Sequence, residues 1–260
     1  MAIDISHRLR NHNNSNRRVF IPQKTPKKIK GFSFNCLSVA ALVFAAIGFA
    51  GYVFSGKLGT IPYTAVKFLG QAVFPLSAFL TAQVYNYAEN PRKTVPVLGV
   101  LTLITHVPYV FMVTGGFGFI IHTSLMFPLF MGCAGLMLSD MPNIDRNVKT
   151  ILMLLICFAA PVGDGGSLVT VWVIIFGTRY DKQTQMKLFY AAGFVMTAIN
   201  LIYGIIGGQW YSFIPQLGFL LAVPFINGYN PFKTDISKSL IYAVLYPVII
   251  LIFAVLKFIF

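Results

Sequence analysis

The most constraining feature of the chain is a series of apolar runs, most of them close to the length that crosses a lipid bilayer, separated by short polar breaks. They fall near residues 33–54, 62–87, 95–113, 117–139, 148–162, 167–178, 187–208, 211–228 and 237–259. A helix needs ~20 apolar residues to cross the hydrocarbon layer. Inside that layer, a helix satisfies its own backbone groups without water. The pattern therefore predicts an all-α, polytopic transmembrane helical bundle of about eight to ten spans. The fifth and sixth runs are short, which predicts a broken helix pair around Pro161-Val162-Gly163-Asp164-Gly165-Gly166. Composition agrees: 57% of residues are apolar, mean hydropathy is +0.74 and 10% are charged, against about 25% charged in soluble domains. A water-soluble globular enzyme is excluded, and so is disorder beyond the ends.

The few charges are strongly biased, with 20 basic and 7 acidic residues giving +13. Eight of the basic residues lie in residues 1–31, beside a single acid, Asp4. That segment reads as a disordered basic arm, and residues 32–260 as the membrane domain. With the arm on the inner side, Arg92, Lys93, Arg146, Lys149, Arg179, Lys182, Lys187, Lys233 and Lys238 also fall in inner loops. Lys57, Lys67 and Lys257 remain for the outer side. By this count 17 of 20 basic residues share one face, as the positive-inside rule requires for nine spans with the N-terminus in and the C-terminus out. Two other uses of the arm fit less well. As the n-region of a signal peptide it is too long, and no small-x-small cleavage site follows. It also lacks the aromatic interleaving and scaffold expected for nucleic-acid binding.

Polar groups at bilayer depth are costly unless they have partners or functions. Asp164 is the acid of this kind, within a glycine-rich turn. It reads either as a turn aspartate bound to its own backbone amides or as a carboxylate at the mouth of a site. His106, two residues before Pro108, and His122, followed by Thr123 and Ser124, are open to two readings as well. Each either bonds a helix carbonyl or takes part in chemistry. Gln71, Gln83, Tyr85, Asn86, Tyr87, Asn200, Gln216, Asn227 and Asn230 read first as hydrogen-bonding links between helices. Gly204 and Gly208 form a weak GxxxG contact motif. Cys36, Cys133 and Cys157 lie in apolar runs without metal-ligand spacing, so free buried thiols and no metal are expected. Nucleotide-binding loops, HExxH and paired carboxylates are absent.

One segment, Gly70-Gln71-Ala72-Val73-Phe74-Pro75-Leu76-Ser77-Ala78-Phe79, resembles the G-R-x-A-F-P segment of the TraX family, membrane proteins associated with N-terminal acetylation of conjugative pilin. Further similar elements follow in order. They are Tyr87-Ala88-Glu89-Asn90-Pro91-Arg92-Lys93, His106-Val107-Pro108-Tyr109, Leu129-Phe130-Met131-Gly132 and Asp164-Gly165-Gly166. Gln216-Leu217, Gly228-Tyr229-Asn230 and Leu240-Ile241-Tyr242-Ala243-Val244-Leu245-Tyr246-Pro247 complete the series. The likeness covers about residues 35–255. It departs at Ala45-Ala46, where the family has Asp-His, at Gln71 in place of Arg, at Gln83 in place of an acid, and at Ile249 in place of a late His.

The resemblance implies acetyl transfer to the N-terminus of a pilin in a conjugative or pilus system, with acetyl-CoA as donor. It also implies residence in a bacterial inner membrane, in contact with pilin or pilus-assembly proteins. Acyl transfer needs a proton acceptor and donors for the oxyanion. The candidates that remain are Asp164, His122 and His106, with Tyr246 as a phenolic donor. The departures support a non-enzymatic alternative, a membrane scaffold or pilin-assembly partner. A small-solute transporter is a third reading, motivated by Asp164 at a broken helix pair.

Overall fold

The computed structural model describes residues 31–87, 90–116, 122–231 and 241–260. The basic arm up to Lys30, Glu89, Lys233 and Lys238 lie outside the described residues. Within the unit that begins at Gly31, the described elements are all helical, joined by two isolated backbone bridges. This is the all-α bundle that the apolar runs predict.

Each run becomes a helical element. They are α1 (Phe34–Val53), α2 (Thr60–Gly70), α3 (Val73–Tyr87), α4 (Thr94–Thr114), α5 (Met126–Ser139), α6 (Arg146–Ala159), α7 (Gly166–Gly177), α8 (Lys182–Ile206), α9 (Val223–Asn227) and α10 (Ile241–Ile259). Four stretches are long and apolar enough to cross a membrane: Phe34–Val53, Thr60–Tyr87, Pro91–Thr114 and Lys182–Ile206. The second of these breaks at Gln71-Ala72 into α2 and α3. The eighth run is mainly 3-10 helix, at Trp210–Phe213 and Pro215–Ala222, before the short α9.

Local chemistry sets the boundaries. Ser33 accepts from the Cys36 amide to start α1, Asp145 from Asn147 to start α6, and Asp181 from Thr184 to start α8. Such caps satisfy amides that the helix itself leaves open. Gly115, at φ 73°, ends α4 in the left-handed cap that glycine favours. Gly204 does not act in a helix–helix motif. Its α-carbon faces Gln209 and Ser212, and Gly208 lies beyond the end of α8.

The helices alternate in direction. At one end, Phe32 bridges Tyr229, the Tyr85 hydroxyl donates to Asp140 at 3.0 Å, and Lys182 reaches the Asn227 carbonyl at 2.8 Å. Arg92, Lys93, Arg146, Lys149, Arg179 and Lys187 occupy loops or helix starts there. We call this the basic end. At the far end, Lys257 of α10 donates to the Val53 carbonyl of α1 at 3.2 Å.

Large aliphatic and aromatic side chains face outward, among them Leu103 (75% exposed), Phe158 (85%) and Ile206 (78%). Such surface suits lipid rather than water. The interior holds an aromatic stack of Trp172, Phe176, Phe189 and Phe219, with ring centroids 5.2–5.8 Å apart. Cys36, Cys133 and Cys157 are free thiols. Burial holds for Cys133, but Cys36 is exposed and Cys157 half-buried, because each sits on the outward side of its helix.

Candidate functional site in the far half of the bundle

The short helices build the site. At ~1.5 Å per residue, α5 spans about 21 Å and α7 about 18 Å, both less than the ~30 Å hydrocarbon layer. They run parallel, since Gly132 packs on Val173, Gly177 on Leu136, and Thr170 donates to the Pro128 carbonyl at 3.0 Å. Their N-termini therefore lie side by side in the far half. The chain leading into α5 is extended and bridges the turn leading into α7. The Thr123 amide donates to the Val162 carbonyl at 2.8 Å, and the Asp164 amide to the Thr123 carbonyl at 2.9 Å. Those two bonds bring His122 and Asp164 together, 42 positions apart in sequence.

Glycine is required at this turn. Gly165 and Gly166 have φ of +79° and +55°, and a β-carbon on Gly163 would run into the Pro128 ring. The Val-Gly-Asp-Gly-Gly pattern is thus a backbone necessity that leaves Asp164 as its one functional side chain. Ser124 is anchored by a 2.7 Å hydroxyl–hydroxyl bond to Thr105 of α4, and so fixes the segment from the other side.

Asp164 is half-buried and borders a cavity of about 50 Å³, room for one or two waters. Tyr52, Lys67, Gln71, Tyr246 and Ala45 are among its other walls. Lys67 and His122 are the basic side chains near enough to Asp164 to act on it electrostatically. The Lys67 ammonium sits 3.1 Å from the centre of the Tyr52 ring, a close cation–π contact. Tyr109 is 1% exposed, and its ring centroid lies 6.0 Å from that of His122. Its hydroxyl neighbours Asp164 and Tyr52 and interacts with both side chains.

Of the residues expected from sequence, Asp164 and His122 are brought together, and Tyr246 lines the same cavity, packed 5.7 Å from Phe49. His106 is half-buried on α4, three residues before Tyr109, and lines no part of the cavity. Lys67, Tyr52 and Tyr109 were missed as site residues. Lys67 did carry a signal, as a cation inside an apolar run, where charge is costly. The tyrosines carried none, because interior and lipid-facing aromatics look alike in sequence. Among the described residues no cluster of three His, Cys, Asp or Glu could hold a metal.

Comparison with protein families, characterised proteins and solved structures finds no match to this chain.

Proposed function

We propose that this protein is a membrane-embedded acyltransferase of TraX type that acetylates the N-terminal amine of a pilin in a conjugative or pilus system. The observation that carries the reading is the backbone bridge that sets His122 beside Asp164, next to the buried Tyr109 hydroxyl. An amine attacking a thioester must lose a proton, and the carbonyl oxygen gains negative charge. His122 is the base in this reading and Asp164 its orienting carboxylate. Tyr109 and Tyr246 are the phenolic donors to the oxyanion. Acetyl-CoA supplies the acetyl group, and its thiolate leaves. The basic end then faces the cytoplasm of a bacterial inner membrane, with the C-terminus periplasmic.

Mass spectrometry of pilin from cells with and without the protein tests the activity. The acetylated fraction is expected to fall when the protein is absent, and an unchanged fraction would remove the enzyme reading. His122→Ala and Asp164→Asn are expected to lower acetylation while membrane insertion persists. Full activity in both would overturn the assignment.

One observation favours a second reading, a non-enzymatic pilin-assembly scaffold. Ala45 and Gln71 line the Asp164 cavity, at the places where the resembled family carries Asp-His and Arg. Loss of pilus assembly with unchanged acetylation would select this reading.

A further inference from the structure

We propose that a groove at the far end, adjoining the Asp164 cavity, binds a phosphate-bearing ligand with Lys67 as its cationic partner. The groove holds about 470 Å³, within the range of small-molecule sites. It lies between the start of α2 and the segment 209–215. Its lining includes Thr60, Tyr63, Thr64, Gln209, Ser212 and Lys67, with one cation and no carboxylate.

Two of the lining hydroxyls are already committed. The Ser55 hydroxyl donates to the Tyr52 carbonyl at 3.1 Å and Thr64 to the Thr60 carbonyl at 2.8 Å. Among the described residues, the Tyr63 hydroxyl, the Gln209 side-chain carboxamide and the Lys67 ammonium make no such bond, whereas the Gln209 backbone amide donates to the Gly204 carbonyl at 2.7 Å. Among the described residues Lys67 forms no ion pair, and Asp164, which shares a cavity wall with it, acts on it electrostatically. Its ammonium is held by aromatic faces instead, 3.1 Å from Tyr52 and 5.7 Å from Tyr63. Donors therefore line the groove around a cation that it shares with the adjoining Asp164 cavity. An oxyanion with several acceptor oxygens matches that set, and lysine serves phosphate as a point charge.

The groove opens where α1 and α8 end, so the phosphate could belong to a phospholipid headgroup or to a dissolved solute. Calorimetry on the purified full chain in detergent separates the two. The probes are inorganic phosphate, dihexanoyl-phosphatidylglycerol and zwitterionic dihexanoyl-phosphatidylcholine. Saturable binding of inorganic phosphate supports a solute. Binding of the anionic lipid, without phosphate or the zwitterion, supports a headgroup. Lys67→Met is expected to weaken the binding about tenfold, near 1.4 kcal/mol, and Lys67→Arg to retain most of it. Should Lys67→Met fail to fold, Gln209→Ala on its exposed turn serves, with a several-fold loss expected. Absence of saturable anion binding, or unchanged affinity in the variant that folds, would overturn the proposal. Binding is read directly, so the result stands apart from whether acetyl transfer occurs.

Discussion

Gly163 sits against the Pro128 ring at the point where the two short helices begin, and this contact decides whether His122 and Asp164 meet. Adding one methyl group there forces the turn away from α5. Overpacking of this kind costs about 1–3 kcal/mol, so Gly163→Ala is expected to lower the thermal midpoint in detergent by several degrees. A midpoint equal to wild type would show that the turn can shift freely. Thr105 and Ser124 make a smaller contribution. Removing one hydroxyl by Ser124→Ala leaves Thr105 bonded to the Leu101 and Thr102 carbonyls of its own helix. A loss of about 1 kcal/mol is expected, measurable in the same unfolding experiment.

Among the elements, α8 offers a pH-dependent boundary at the membrane surface. Asp181 caps it, and hydrogen bonds from Thr184 hold its carboxyl below the ordinary aspartate range. A carboxylate favoured by the fold stabilises above its unfolded value, about 3.9, and loses that contribution as pH falls through its lower folded value. Protection of the Gln183 and Thr184 amides, taken as the exchange rate relative to the intrinsic rate at the same pH, is therefore expected to be steady through neutral and mildly acidic pH and to fall only below about pH 4. Asp181→Asn keeps the capping oxygen and should abolish that acid dependence. Persistence of the dependence in this variant would exclude Asp181 as its source. The break around Pro161 is plain in the sequence. That α5 and α7 run parallel with adjacent N-termini is not, because nothing in an apolar run states which neighbour it packs against.

For the whole molecule, the alternation of helix direction separates Lys182, beside Asn227 at the basic end, from Lys257, beside Val53 at the far end. In a background lacking Cys36, Cys133 and Cys157, cysteines placed at positions 182 and 257 are expected to react with a membrane-impermeant thiol reagent from opposite sides. Labelling of both from one side would refute the crossing pattern. Among the described residues, Lys57, Lys67 and Lys257 are the basic groups away from the basic end, matching the expectation from charge bias. The same bias treated Lys67 as a marker of a span boundary. In the structure it stands between the groove and the Asp164 cavity instead.

Hydropathy alone determined that the chain is an all-α bundle, where its apolar runs lie and how its basic loops alternate. It can do so because a backbone in lipid must bond to itself, and because each helix reports its own length locally. The glycine turn around Asp164 was also legible, since positive φ leaves glycine as the ready choice. Only the tertiary structure decided that Asp164 meets His122, Tyr109, Lys67 and Tyr246 while His106 stands aside. That choice depends on inter-helix contacts between residues dozens of positions apart. In an almost uniformly apolar chain, the packing of one helix on another follows from shape, which leaves no periodic trace in the sequence.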